Sequence, residues 1–415
     1  MMPPDDSVES SGGFLFWSFM GIQDYLNRQG HVGIFGDQIV SPRLDDISVQ
    51  FQYNIASNDV TSAVTGSGVV EHNGTNFMRV RAGTGAAAGT AKATSVDTVR
   101  YRTGHDIYVY FTCYFSAPAA NGKQYIGLLD AVDGVAIGYN GTNFGTLYRS
   151  GGADVFKPQS GFNKNTMLAE SFGDGSGYVL DPSKVNLYRI NLGYLGIAPI
   201  IFEVYGGTDF GWIPFHVMEF TNQQTTTHLQ NPILPMRVEV ESTGNAVLDI
   251  HTPSWNAGVL IDRQDEKADR FQTARNSKTS VSTETNIFTL KNLATFQGKV
   301  NHIVSELISI SASADGAKNV IVYFKKNATL GGSPSYANID AVNSVLQIDT
   351  AGTTVTGGTL MYALELAKVE SKVLNLLDAH IKMLPGETLT VSASSASASD
   401  ISITVREREL FSWSI

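Results

Sequence analysis

Two carboxylates held a few ångströms apart on β-structure suffice to hydrolyse a glycoside, so the acids of this sequence come first. Glu203 and Glu219 flank the turn of GIAPIIFEVYGGTDFGWIPFHVMEF (196–220), where two apolar runs meet at Gly-Gly-Thr-Asp. Pairing about that turn sets Glu203 opposite Trp212 and leaves Glu219 far down the strand, so the two do not face each other. Glu170, Asp174 and Asp181 sit in the Gly-rich MLAESFGDGSGYVLDPSK and read as solvated loop acids. Asp130 and Asp133 of DAVDG lack the alternating acids and distal Glu of a calcium loop, and are expected to shape a turn. The eight histidines form no H-E-x-x-H, H-x-x-E-H or H-x-H group, so no metal centre is expected. No G-x-S-x-G elbow joins a strand to a helix, and GTGAAAGT (83–90) lacks the lysine of a phosphate-binding loop. Cys113, the single cysteine, lies in YVYFTCYF and is expected to be a small buried hydrophobe. No catalytic, cofactor or metal residues are assigned, and the chain is expected not to be an enzyme.

The elements that carry these residues are strands. The first half runs through ISVQFQYNI, DIYVYFTCYFSA, KVNLYRINL and similar segments, separated by turn signals. NGTNF occurs at 73–77 and again at 140–144; Asn-Gly between apolar runs marks a tight hairpin, so two similar hairpins are expected. The second half is richer in Ser, Thr, Ala and Val. In LLDAHIKMLPGETLTVSASS, Leu377, Ala379, Ile381 and Met383 are expected inward, with Leu389 and Val391 resuming after Pro385-Gly386. Ile401, Ile403 and Val405 alternate inward again. LMYALELAKVESKVLNLL (360–377) has helix-favouring composition but is assigned to strand from its context. The spaced opposite charges of VLIDRQDEKADRFQTARN (259–276) suit a short helix. The expectation is a mainly β protein of two antiparallel β-sandwiches, jelly-roll or concanavalin-like, with an extended N-terminal arm. Its parts are the arm 1–45, a larger sandwich 46–258, a linker with a short helix 259–285, and a smaller sandwich 286–415.

The 196–220 hairpin raises a question that alternation alone does not answer. Phe210, Trp212, His216, Met218 and Phe220 share one face, and Ile213, Phe215 and Val217 share the other, so both are apolar. Pro214 inside such a run favours a sheet edge or a bulge. A patch of that size on a lone monomer is an aggregation hazard, so the hairpin and the arm are expected to make contacts between subunits. The interface residues assigned are Phe14, Phe16, Trp17, Phe210, Trp212, Phe215 and Met218. Tyr139, Tyr148 and Trp255, with Phe162 and Trp212 beside them, are the aromatics that would stack on sugar if the protein recognised glycan. Only 16% of the 415 residues are charged, against roughly 25% in an average soluble domain, which leaves protein partners to cover surface. The net charge of −10 is scattered, without the clustered Lys and Arg that nucleic acid requires. No run reaches the ~18 apolar residues of a membrane span. The greasy segment 14–22 follows Asp5, Asp6 and Glu9, where a signal peptide would be basic.

Three segments resemble tailed-bacteriophage virion proteins, of the capsid-associated, fibre and tail kinds: VRYRTGHDIYVYFTCYFSAP (99–118), QYIGLLDAVDGVAIGYNGTNFGTLYRSGG (124–152), and the stretch 186–245 with NLYRINL, the hairpin, HVMEFTN and NPILPMRVEVES in that order. MLPGETLTVSA and ITVRERE near the carboxyl end are similar to a closing hairpin of such proteins. The resemblance implies a structural role in the virion and brings no catalytic residues with it. It implies other copies of the chain, a trimer by expectation, and other virion proteins as partners. The alternative is a receptor-binding fibre or spike module that recognises host surface glycan, and a polysaccharide depolymerase comes third.

Overall fold

The computed structural model describes residues 43–411, apart from 86, 169–177, 209, 245 and 261–268. The assigned arm, with Phe14, Phe16 and Trp17, therefore lies outside the described residues, except that Arg43 already begins a strand. The chain divides into two compact units, the boundary falling between Gln264 and Asp265. Both are built of antiparallel β-sheets, and no α-helix occurs among the described residues.

The first unit contains β1 (Arg43–Gln50), β2 (Val60–Gly66), β3 (Val69–His72), β4 (Met78–Ala82) and β5 (Gly89–Thr98). There follow β6 (Ile107–Phe115), β7 (Lys123–Leu129), β8 (Gly134–Asn140), β9 (Asn143–Ser150) and β10 (Ala153–Pro158). The last five are β11 (Asn186–Leu192), β12 (Ile200–Tyr205), β13 (Trp212–Met218), β14 (Pro235–Ser242) and β15 (Leu248–Leu260). One sheet runs β13-β12-β11-β6-β15-β4-β3 with β1 also on β15, and the other runs β10-β9-β8-β7-β14-β5-β2. Strict alternation explains why: in β4 every second residue, Met78, Val80 and Ala82, is sealed while Arg79 and Arg81 face out. The inward residues of the two sheets share one core that includes Phe111, Phe115, Tyr188, Phe202, Phe215 and Trp255. Each such side chain removed from water contributes about 1.5–3 kcal/mol. Both NGTNF segments close hairpins, β3–β4 and β8–β9. In the first, the Asn73 side chain accepts the amides of Thr75 and Phe77, and Gly74 and Asn76 have positive φ.

The second unit pairs a five-stranded sheet with a six-stranded one. The five-stranded sheet orders Arg270–Val281, Ser399–Glu409, Ser305–Gly316 and Glu370–Asn375, with Lys382–Met383 also on Ser305–Gly316. The helix expected over 259–276 is absent from its described part: Val259 and Leu260 end β15, and 270–276 lie in a strand paired along Ser399–Glu409. Ala274 faces in while Phe271, Thr273 and Arg275 face out, a period of two that ladder pairing reinforces against the helical charge spacing. Ile381, Met383, Leu389, Val391, Ile401, Ile403 and Val405 are buried as expected, but Leu377 and Ala379 belong to a 3-10 turn and are not. Thr359–Leu366 and Glu370–Asn375 are strands, in line with the context-based reading of 360–377.

Candidate functional site

The apolar hairpin at 196–220 is β12–β13, and its two faces do not stay constant. Tyr205 pairs with Trp212, Val204 with Ile213 and Glu203 with Pro214, but Phe202 pairs with His216. One extra residue, Phe215, is inserted at that point, and β13 is the edge strand. Pro214 sits next to the irregularity, where a missing amide hydrogen costs least. The bulge moves His216 and Met218 to the core side with Phe202 and Ile200, and leaves Trp212 outside with Glu203 and Tyr205. Sequence alternation placed Trp212, His216 and Met218 together and Glu203 opposite Trp212; the inserted residue corrects the first, and closure of the turn at Tyr205–Trp212 corrects the second, setting Glu203 opposite Pro214. Phe215 is fully buried and Met218 packs on the core, so neither is an exposed interface residue, whereas Phe210 is 45% exposed.

Register then lays out the outward face of the eight-stranded sheet. Glu203, Arg189, Tyr110, Asn256 and Ser48 fall in one row across β12, β11, β6, β15 and β1. Arg189 grips Glu203 with two hydrogen bonds, Nε to Oε2 at 2.5 Å and one terminal nitrogen to Oε1 at 2.7 Å. Asn191 donates to the same Oε2 at 2.7 Å. Arg189 and Glu203 are 7% and 3% exposed, so this is a buried bidentate pair whose parts are strongly interdependent. The guanidinium lies 4.4 Å from the Trp212 ring, a cation–π contact. Trp212 in turn meets Tyr205 at 5.4 Å and Tyr110 at 5.5 Å between ring centres, and Tyr110 meets Tyr108. Tyr108 donates its hydroxyl to Asp45. Beyond the hairpin turn, Phe210 touches Tyr178. The result is a strip of aromatic rings along a sheet edge, held from beneath by an ion pair.

A second cluster occupies the other end of this face. His251 stacks on Tyr114 at 4.4 Å, its Nε2 is 3.3 Å from an Asp249 oxygen, and Arg79 pairs with Glu71 on the next strands.

The remaining sequence candidates fall elsewhere. Trp255 is 1% exposed, packed edge-on against Phe51 with its indole nitrogen on Thr252, so it cannot stack on a sugar. Phe162 is equally sealed. Tyr139 packs against Phe115 and Phe144, and Tyr148 gives its hydroxyl to the His228 carbonyl and its ring to Phe220. These assignments are corrected because strand alternation points Tyr139, Tyr148 and Trp255 toward the core, and Phe162, just after the 3-10 turn Gln159–Gly161, packs there against Phe215. Asp130 and Asp133 shape loops. Asp130 accepts the amides of Val132 and Asp133, and Asp133 accepts those of Gly151, Gln230 and Asn231. Glu170 and Asp174 lie outside the described residues; Asp181 caps its own turn through Ser183. Cys113 is fully buried, and burial pushes its thiol well up. His216 and His228 are buried and pushed down to about 4 by desolvation. Among the described residues, no three His, Cys, Asp or Glu side chains converge to hold a metal ion. A cavity of about 370 Å³ beside Asn121, Ser242 and Thr243 has an uncharged lining.

Sequence reasoning missed Arg189, Asn191 and Tyr110. The signal was present in N-L-Y-R-I-N-L, where Arg189 and Asn191 interrupt an apolar run at a spacing of two. In the second unit it also missed Glu407 and Glu409, which project inward from Ser399–Glu409 beside Ser305 and Ser344. Burial, ahead of the hydrogen bonds that oppose it, raises both carboxyls to about 7.

No protein-family model matches the chain, and no curated protein matches it. Similar solved structures include a family 16 glycosyl hydrolase from Mycobacterium smegmatis, 11% identical over 52% of this chain and 100% of that one, with a TM-score of 0.36. A β-1,3-glucanase from Mycobacterium marinum is 12% identical over 52% of this chain and 99% of its own, with a TM-score of 0.35. The Emp46p carbohydrate recognition domain is 7% identical over 54% of this chain and 100% of its own, with a TM-score of 0.34. The expectation of a chain that is not an enzyme is corrected by this finding, because described glycosyl hydrolases are among the structures that share its sandwich. At these identities the likeness is one of fold, and it transfers no residue and no reaction. The fold is a mainly β protein of antiparallel sandwiches.

Proposed function

We infer that this chain is a structural component of a tailed-bacteriophage particle that works by binding other copies of itself and other particle proteins. The observation that carries the reading is the aromatic strip of Tyr205, Trp212 and Phe210 on the edge hairpin, anchored by the buried Arg189–Glu203 pair. Tyr, Trp and Arg are the residues that concentrate binding energy at protein contacts, above all when they are rigid before association. The backbone edge of β13 is already met at Phe215 and Val217 by residues 163–165, so the contact would be made by these side chains. The resemblance of 99–118, 124–152 and 186–245 to virion proteins supplies the setting. Analytical ultracentrifugation of the full chain, wild type against Phe210→Ser/Trp212→Ser, is the test. A closed oligomer that dissociates in the double variant supports the reading; a monomer at every concentration, unchanged by the substitutions, overturns it.

A second reading, recognition of host surface glycan at the same strip, is favoured by the polar row. Asn256 and Ser48 lie beside Tyr110, an arrangement in which a ring can stack on a pyranose while its neighbours read hydroxyls. Trp212 fluorescence titrated with host surface polysaccharide separates the two: quenching without oligomerisation selects the glycan.

A further inference from the structure

The outward face of the five-stranded sheet in the second unit is dominated by hydroxyl side chains. Ser277, Ser402, Ser313 and Ser371 stand side by side in one row across four strands. The two rows next to it add Arg275, Arg406 and Val373, and their other five positions are Thr, Ser or Asn. The residues between these positions along the two central strands, such as Ile310, Ala312, Ile403 and Val405, are buried, which fixes the direction of every side chain in the grid. None of the eight hydroxyls in the three rows hydrogen-bonds another described residue. The two guanidinium groups form no ion pair among the described residues; Arg406 lies 4.5 Å over Phe271 and Arg275 is exposed. Arg275 pairs with Thr404 and Arg406 with Thr273, so the arginines are diagonal neighbours about 7–8 Å apart at their bases. An ordinary solvated face mixes both signs of charge; these three rows hold two positive charges and no negative one. Asp315 and Asp400 face each other just beyond the serine row and close that end to anions.

The geometry points to a binding site for a carboxylate-bearing polysaccharide, a uronic-acid polymer, laid across this hydroxyl grid. Donors and acceptors repeat about every 4.8 Å across the strands and about 6.6 Å along them, on a backbone that needs no ordering. Sugar hydroxyls can pair with such a grid along its length. Planar guanidinium forks take carboxylates through two parallel hydrogen bonds, which a lysine cannot do. A protein partner is disfavoured because the three rows hold only Val373 as an apolar side chain, and Phe271 at their border already lies under Arg406. Nucleic acid is disfavoured because its duplex carries a charge about every 1.7 Å, which two arginines cannot match, while the remaining positions of the grid offer hydroxyls suited to sugar rings. The site is separate from the aromatic strip of the first unit and stands or falls independently of it.

Affinity electrophoresis of the full chain through gels containing polygalacturonate tests the proposal, with neutral dextran and duplex DNA as parallel gels. Retardation is expected with polygalacturonate alone. Arg275→Ala/Arg406→Ala should weaken it about ten-fold or more, as loss of charge-assisted hydrogen bonds does, and Arg275→Lys/Arg406→Lys should recover only part. Ser311→Val/Ser402→Val, a pair of outward-facing substitutions that strands tolerate, should weaken binding without touching charge. Absence of retardation by polygalacturonate, equal retardation by dextran or DNA, or wild-type behaviour in the double-alanine variant would each overturn it.

Discussion

Glu407 and Glu409 make the second unit sensitive to alkali in a way that can be worked out from their surroundings. Both point inward from one strand, two residues apart, in a region where Ser305 donates to Glu407 and Ser344 and the Val345 amide donate to Glu409. Desolvation holds the two carboxyls at about 7, against 4.5 in an exposed chain. Their folded-state values are raised, so the fold binds more protons than the unfolded chain, and stability falls as pH rises between about 4.5 and 7. Each group then costs about 3 kcal/mol once ionised inside the fold, which is already a large share of a typical domain's total stability. Below about 4.5 the cost vanishes, and above about 7 it is constant. Urea titration read by hydrogen exchange in peptides from Ser305–Gly316 and Ser399–Glu409 isolates this unit. Glu407→Gln/Glu409→Gln should flatten the dependence and stabilise the unit at pH 8 while changing little at pH 4.5. Equal stability of the wild-type unit at pH 5 and pH 8, or an identical slope in the variant, would refute the reasoning.

Other outcomes follow from the same structure. The first unit should respond oppositely, because the pKa values of His216 and His228 are depressed to about 4 from 6.5; its stability should be lost as pH falls through that range, seen as loss of protection in β13 peptides. Glu203→Ala should destabilise the first unit by about 3–5 kcal/mol by stranding the buried Arg189 charge, whereas Arg189→Met/Glu203→Leu should cost far less; thermal denaturation compares them. Asp133→Ala should cost about 2–4 kcal/mol through the Gly151, Gln230 and Asn231 amides it leaves unpaired, measured by urea unfolding. Cys113 should resist a thiol reagent such as DTNB in the folded protein and react at once in guanidinium, because burial both shields the thiol and holds it protonated.

Local rules written along the chain were enough for a good part of the architecture. Period-two alternation in segments such as MRVRA and DISITV, with Asn-Gly turns between strands, determined that the protein is β throughout, and a change of composition near residue 260 marked two units. Inward residues on regular strands, among them Ile401, Ile403 and Val405, were legible for the same reason, as were the buried Cys113 and the turn role of Asp130 and Asp133. What alternation could not reveal is where it breaks. A single inserted residue at Phe215 turns His216 and Met218 inward and leaves Trp212 outside, and no local signal beyond Pro214 announces it. Arg189 meets Glu203 across fourteen residues of chain, and Ser277 meets Ser402 and Ser313 only because three distant strands pair in one register. Likewise Trp255 looks like a ligand platform in the sequence and is a core residue in the fold, because β15 lies in the middle of its sheet. Side-chain direction along a strand is a local property; which strands become neighbours, and how far each slides against the next, is set by the packing of the whole core.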